Sequence, residues 1–324
     1  MRRCFIHIGT HKTGTKSLQH TLSTQSRELE GLGYCYPRTG RPAMAPHGHH
    51  NIAWEISNDV RFLKDVGSID DLLAEIADLP HDVILSSEDF ECSAYHPERF
   101  SIFIERLKKS AFAVKFIVYF RNQIEYAESL YVTMLIFGLD TPFREYLAEI
   151  VASGKFRWRH WVFPFDYDEF STSLRNIEGV ELVVRSYDAL KKDALVGDFL
   201  SILGVYSNDL AMMENIRLNE RCSTSTAIER FYHNCVRRPL LASEQVALAS
   251  LFQSAGFRVE MSDRSRLDMI EKFDDSNRRL FRTYGIPEFD CMRPASKTSE
   301  SRKGMPMDDV FSPELRDAVE EKLR

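Results

Sequence analysis

The chain has 324 residues, 44% of them hydrophobic and 28% charged, values of a globular protein with room for one large α/β domain or two smaller ones. Its 42 Lys and Arg stand against 48 Asp and Glu, for a formal net charge of −6, so no overall basic field is present to hold a nucleic acid and any anion must be met by local cations. The 6 cysteines are scattered without a Cys-x-x-Cys pair. That excludes a zinc-finger pattern and points to reduced thiols in a cytoplasmic setting rather than a disulfide framework. No apolar run is long enough to span a bilayer, and the chain opens directly into a strand pattern rather than a secretory signal.

The first element is the apolar run Cys4-Phe5-Ile6-His7-Ile8, bounded by Gly9, which reads as a short buried strand. A turn of small and hydroxyl residues follows, Thr10-His11-Lys12-Thr13-Gly14-Thr15-Lys16-Ser17, and then a helical pattern through Leu18, Leu22 and Leu29. A strand feeding a helix through such a turn directs backbone N–H groups and a positive helix end at one point, an arrangement that suits a phosphate. The bland alternative is a plain strand-turn-helix with a solvated lysine. A Walker loop requires Gly, four residues, then Gly-Lys-Ser/Thr. Gly9 and Gly14 have that separation, but Thr15 follows Gly14 and Lys16 comes one place late, while Lys12 lies inside the loop.

A short strand is expected near Tyr34 to Tyr36, then a Pro-, Gly- and His-rich loop from Arg38 to His50 that could serve as a site-facing lid. A helix begins at Ile52, and Ser68-Ile-Asp-Asp71 reads as a capping box before another. The second buried strand, Asp82 to Ser87, runs into Glu88-Asp89. A helix from Pro97 to Lys109 precedes the third strand, Ala113 to Phe120, which ends at Arg121. Helices are expected at about Gln123 to Phe137 and Thr141 to Gly154. The aromatic stretch Trp158 to Tyr167 is either core or the wall of a substrate cleft. A fourth strand, Val180 to Arg185, leads to Ser186-Tyr187. Helices then follow near 192–203, 223–237, 243–255 and 264–283, with a polar Pro- and Gly-containing segment before a short amphipathic end. The alternation predicts an α/β domain with a mostly parallel central sheet and helices on both faces, spanning 1–324 as a core over 1–205 and a helical part over 206–324. In such sheets ligands sit at the carboxyl ends of strands, where Lys12, Glu88 and Arg121 should share one crevice.

The Lys12-Thr13-Gly14-Thr15 loop resembles the 5′-phosphosulfate loop of sulfotransferases that use 3′-phosphoadenosine 5′-phosphosulfate (PAPS). A second segment extends the resemblance. Arg121 ends a strand and Ser129 follows eight residues later on the next helix, as in the family's 3′-phosphate clasp. The Leu182-Val-Val-Arg-Ser-Tyr187-Asp-Ala-Leu stretch is similar to the family's strand-Tyr segment. The resemblance covers residues 4–203 in pattern and implies a P-loop-like sulfotransferase fold with PAPS as co-substrate and no metal. It implies Lys12 at the oxygen bridging phosphate and sulfate, and backbone N–H groups of Thr13, Gly14, Thr15, Lys16 and Ser17 at the 5′-phosphate. Arg121 and Ser129 would then hold the 3′-phosphate, with Tyr187 near the adenosine. Arg302-Lys303-Gly304 corresponds to the family's Arg-Lys-Gly element, with Arg217 and Asn219 competing for that role. Each motif also has a structural explanation: an Arg paired with a carboxylate, or a Tyr packed on the core.

Sulfuryl transfer shares the in-line geometry of phosphoryl transfer. It needs a general base for the acceptor hydroxyl. Where cytosolic members carry a histidine after the strand, this chain has Glu88, which could serve if partial burial raises its pKa. His49 and then His50, in the His47-Gly-His49-His50 run, are the rivals, and a metal site there lacks a partner cluster. The acceptor expected from the glutamate-type site is a carbohydrate or glycoconjugate hydroxyl. Two other classes stay open. One is a P-loop kinase or ATPase using ATP–Mg²⁺, with Asp89 near a strand end as its acidic ligand. The other is a non-catalytic nucleotide-binding module.

Overall fold

The computed structural model describes residues 1–190, 194–205, 224–236, 241–243, 246, 260–289, 306–314 and 317. The chain packs as two compact units. The first takes Met1–Arg121, Arg157–Asn219 and Ser276–Phe289; the second takes Asn122–Phe156, Glu220–Asp275 and Asp290–Arg324. The division does not fall at residue 205, because two helices from the middle of the chain pack with the C-terminal ones.

The first unit is built on a five-stranded parallel sheet flanked by helices, with strand order β2-β3-β1-β4-β7. Its strands are β1 (Arg2–Gly9), β2 (Tyr34–Cys35), β3 (Asp82–Ser87), β4 (Phe112–Phe120) and β7 (Val180–Ser186); β5 (Lys155–Trp158) and β6 (Trp161–Pro164) form a separate two-stranded ribbon. β1 is central. Its Ile6 pairs with Leu85 of β3 on one side and Phe116 of β4 on the other. Strands buried on both faces read as continuous apolar runs, which is why these segments stand out in the sequence. On one face Phe5, Ile84, Ile117 and Tyr119 pack with Leu18 and Leu22 of α1 (Thr15–Thr24) and with Phe199 and Leu200 of a helix at Leu195–Leu203. On the other, Phe116 stacks on Phe100 of the helix Pro97–Lys109, with ring centroids 5.2 Å apart, and Phe100 stacks on Phe90 at 6.3 Å. All five strands being parallel, Gly9, Ser87, Phe120 and Ser186 end along the same edge, and the segments that follow them leave from it.

One expectation meets a different outcome. The segment 38–50 is not a loose lid, because it is pinned by backbone bonds: His49 N–H to the Ser86 carbonyl at 2.7 Å and Gly40 N–H to the Val66 carbonyl at 3.1 Å. The aromatic stretch is core, with Trp161, Phe163, Phe165 and Tyr167 buried, and it contains part of the β5–β6 ribbon, a pairing that its sequence does not announce. The capping box at Ser68 and Asp71 is present, at the start of the helix Ile69–Ile76.

The second unit is helical, with segments Gln123–Ile136, Phe143–Ser153, Thr224–Val236 and Met307–Val310, and the helix Asp263–Tyr284 as far as Asp275. Tyr131, Phe143, Tyr146 and Phe311 form its aromatic core. The Asn234 amide donates to the carbonyls of Leu135 and Leu139 at 2.8 and 2.9 Å. Buried Asp308 accepts from the N–H and hydroxyl of Ser262, at 2.6 and 3.0 Å. No helix among the described residues is long and apolar enough to cross a membrane.

Phe100 is fully buried between two rings. Phe100→Ala is expected to cost about 3–5 kcal/mol through lost burial and a residual cavity. Urea unfolding checks this, with a lower midpoint at an unchanged slope.

Candidate functional site

The chain leaves β1 at Gly9 and turns through Thr10–Gly14 into α1. Hydroxyls hold the turn: Thr10 Oγ1 donates to the Tyr119 carbonyl at 2.8 Å, and Thr13 Oγ1 to the Thr10 carbonyl at 2.6 Å. Gly9 is required by close approach, since a Cβ there would lie 2.5 Å from Thr15 Oγ1. Gly14 takes φ 78 at the start of α1. Lys12 takes φ 68, a left-handed conformation that costs a non-glycine residue on the order of 1 kcal/mol. No side chain caps α1 and no acidic residue occupies its first turn, so its positive end is not offset from within. Lys12, Gly14 and Ser17 are half-buried, Lys16 is exposed, and Thr13 and Thr15 are buried.

Arg121 follows β4, and its Nη1 reaches the Lys12 carbonyl at 3.5 Å. The two basic residues thus meet across 109 positions of sequence. The Arg121 carbonyl accepts from the Tyr167 hydroxyl at 2.8 Å, and its Nε lies 4.0 Å from Asp188 Oδ1. The Tyr187 N–H donates to the Phe120 carbonyl at 2.7 Å. Its ring then lies beside the loop, with Cε2 3.4 Å from the position of a Gly14 Cβ. Lys12, Gly14, Arg121 and Tyr187 therefore share one place.

Three carboxylates follow β3. Glu88 is 13% exposed; Gln19 Nε2 donates to its Oε2 at 2.8 Å, and His50 Nε2 stands 3.9 Å from the same oxygen. Burial alone would raise the Glu88 pKa, but the charges of His50 and His11 outweigh it and hold the carboxyl below its ordinary value. The expected upward shift is therefore corrected: Glu88 is ionised at neutral pH. Asp89 is buried and saturated. It accepts from Trp54 Nε1 at 2.8 Å and Trp161 Nε1 at 3.3 Å, and lies 3.2 Å from His50 Nδ1 and 3.4 Å from Arg61 Nη2. Burial pushes this carboxyl up, yet His50 and Arg61 hold it well below the usual range. The Arg61 guanidinium is itself sandwiched between Trp54 and Trp161, 4.6 and 4.8 Å from their ring centroids.

The rival bases are placed differently. His49 is fully buried. Its Nδ1 accepts from the Ser86 N–H at 3.1 Å and its Nε2 donates to the Pro37 carbonyl at 3.0 Å. Burial lowers its pKa to about 3, so the ring is a neutral clamp with both nitrogens occupied by backbone. His50 Nδ1 lies 2.9 Å from Ser87 Oγ. Burial opposes its charge, but Glu88 and Asp89 raise its pKa. Of the three candidates, Glu88 alone is both ionised and partly open to solvent.

The sequence reading passed over His11 and Glu91. His11 Nδ1 donates to Glu91 Oε1 at 2.5 Å, and its backbone N–H points to Oε2 at 3.4 Å. Glu91 is fully buried. Burial works against the His11 charge, but Glu91, with Glu88 and Asp89 behind it, raises the ring to about 9. Burial likewise lifts Glu91 to about 7 against the pull of His11. The rise on Glu91 is not what an ion pair alone produces. The histidine nonetheless holds the proton, because three carboxylates act on it together. The signal was available as a carboxylate three residues beyond Glu88 and a histidine inside the loop.

Ser129 is half-buried on the helix Gln123–Ile136 of the second unit. Arg217, Asn219, Arg302, Lys303 and Gly304 lie outside the described residues. Among the described residues no group of three or more His, Cys, Asp or Glu side chains is arranged to hold a metal ion.

No family model matches the sequence, and no curated protein matches it. Among solved structures, a chain from the PezAT chromosomal toxin–antitoxin system of Streptococcus pneumoniae is similar at 13% identity. The match covers 59% of this chain and 70% of that one, with a TM-score of 0.33. A likeness at that level carries no argument about function.

His49 tests the clamp. At neutral pH His49→Ala is expected to cost about 2–4 kcal/mol, because it strands a buried N–H and a carbonyl. The folded ring titrates at about 3, below its unfolded value. Its stabilising effect is therefore full above about pH 6.5 and lost as pH falls toward 3, so the difference between wild type and variant should shrink by about 2 kcal/mol at about pH 5. Urea unfolding at the two pH values reads both effects.

Proposed function

We propose that this chain is a sulfotransferase that moves a sulfuryl group from PAPS to a hydroxyl, on a carbohydrate or glycoconjugate acceptor. The observation that carries the reading is the meeting of Arg121 with the backbone of Lys12, beside the ring of Tyr187. A nucleotide with phosphates at both 3′ and 5′ ends calls for two cationic anchors and a ring near its base, and the proximity of Arg121, the Lys12 backbone and Tyr187 supports this reading. In this reading Lys12 offsets charge on the leaving oxygen, and the N–H groups from Thr13 to Ser17 hold the 5′-phosphate. The Arg121 fork suits the 3′-phosphate dianion, and Glu88 takes the acceptor proton.

A kinase or ATPase reading fits less well. Lys12 precedes Gly14 where a Walker lysine follows it. Asp89, the carboxylate that would serve Mg²⁺, is already engaged by two indoles, an imidazole and a guanidinium. A non-catalytic module would need no base, and it is separated from the proposed reading by whether Glu88 is required for turnover.

Thermal-shift titration separates the readings. Adenosine 3′,5′-bisphosphate is expected to stabilise the protein without metal; stabilisation by ATP–Mg²⁺ alone would sink the proposal. Lys12→Ala and Arg121→Ala are each expected to lower donor affinity or turnover by about 10²–10³. Glu88→Gln should leave bisphosphate binding intact and lower turnover by about 10²–10⁴, read as a fall in kcat with little change in donor KM.

A further inference from the structure

The anion-binding loop contains a strained residue and, next to it, a buried ion pair that nothing above puts to use. We propose that Glu91 is a positioning residue for this loop: its two carboxylate oxygens hold the ring and the backbone N–H of His11, and so fix the left-handed turn at Lys12. The geometry is specific. One carboxylate meets one residue twice, through Nδ1 at 2.5 Å and through the backbone N–H at 3.4 Å. Glu91 has no exposed surface and His11 is 16% exposed. The residue so held immediately precedes Lys12, whose φ of 68 is unfavourable for a side chain with a Cβ. A conformation of that kind persists only where its surroundings impose it.

The loop is held from three sides. Thr10 Oγ1 is tied to β4 through Tyr119, the Lys12 carbonyl faces Arg121, and His11 is tied to the helix that follows β3 through Glu91. Only the last tie depends on a proton. A carboxylate accepts and does not donate, so the ring must present Nδ1–H. The second ring proton makes it a cation, which the buried carboxylate demands. The charged groups facing His11 are Glu91 from its own helix, Glu88 and Asp89 from the end of β3, and His50 from the helix His50–Ser57. Phe163 of β6 adds a ring edge at 5.1 Å. Removing the proton would leave these carboxylates facing a neutral ring, and the latch on the loop would weaken.

The loop's role as an anion site rests on the sulfotransferase reading; the latch does not. The test uses the full chain and Glu91→Gln, which keeps the shape and removes the charge. Two quantities are measured: the His11 imidazole titration by NMR, and the affinity for adenosine 3′,5′-bisphosphate at about pH 7 and about pH 9.5. In the wild type His11 is expected to titrate near 9, and affinity to fall about tenfold between the two pH values. In Glu91→Gln the His11 midpoint should drop below about 7, with affinity about tenfold weaker at neutral pH and nearly flat with pH. A His11 midpoint unchanged by the substitution overturns the proposal, as does a variant that binds like the wild type with the same pH dependence. If Glu91→Gln does not fold, the wild type decides alone: His11 titrating near its ordinary value removes the latch. If the wild type binds no bisphosphate at any pH, the nucleotide reading fails by itself. The latch is then judged by whether the amide resonances of Thr13 to Ser17 move with the His11 midpoint, as expected, or stay fixed, which refutes it.

Discussion

Glu88, Asp89 and Glu91 leave β3 in quick succession and turn inward, and most of the candidate site is what keeps three carboxylates there. Burying a carboxylate is costly unless cations and donors surround it. The chain answers with His11, His50, Arg61, two indole N–H groups and the amide of Gln19. These partners come from the loop after β1, from α1, from the helix His50–Ser57, from the turn at Arg61 and from the β5–β6 ribbon. The charge balance at one strand end therefore ties together five other segments. The loop between β1 and α1 is one of them, since His11 belongs to it.

The second constraint is steric. Gly9 lets Thr15 close over the end of β1, and Gly14 takes a conformation other residues avoid. Between them lie four residues, one of them a lysine in a left-handed turn. A Walker loop of the same length has its lysine after the second glycine. In this loop the lysine comes earlier, and its carbonyl is met by Arg121 from the neighbouring strand.

The strands were legible in the sequence because a parallel strand buried on both faces is a run of apolar residues with little ambiguity, as in Ala113 to Phe120. Their common edge followed from the alternation with helices, and with it the expectation that Lys12, Glu88 and Arg121 would leave strand ends on one side of the sheet. What stayed hidden depends on contacts between segments. The β5–β6 ribbon lies in an aromatic stretch whose composition suits a core equally well. The roles of the three histidines in 47–50 cannot be told from spacing, because burial keeps His49 neutral between two backbone partners while Glu88 and Asp89 raise the pKa of its neighbour His50. The grouping of the helices Gln123–Ile136 and Phe143–Ser153 with C-terminal segments is likewise a matter of long-range packing, through residues such as Phe311 and Asn234.

The electrostatics of Glu88 bear on what kind of base it can be. A carboxylate raised by burial is a stronger base but is partly protonated at neutral pH; one held down by nearby cations is always ready but weaker. Glu88 is of the second kind, with His50 and His11 as the cations. Such a base suits a reaction in which the acceptor proton is removed late, once the acceptor oxygen has begun to bond to the transferred group and its proton has become acidic. A loose, sulfuryl-like transition state has that character, because bond breaking to the departing nucleotide runs ahead of attack. A tight displacement by a poorly acidic hydroxyl would call for a more basic partner. If Glu88 is the base of the proposed transfer, the same cations that stabilise the buried trio would limit it to chemistry in which the leaving side, at Lys12 and Arg121, carries most of the work.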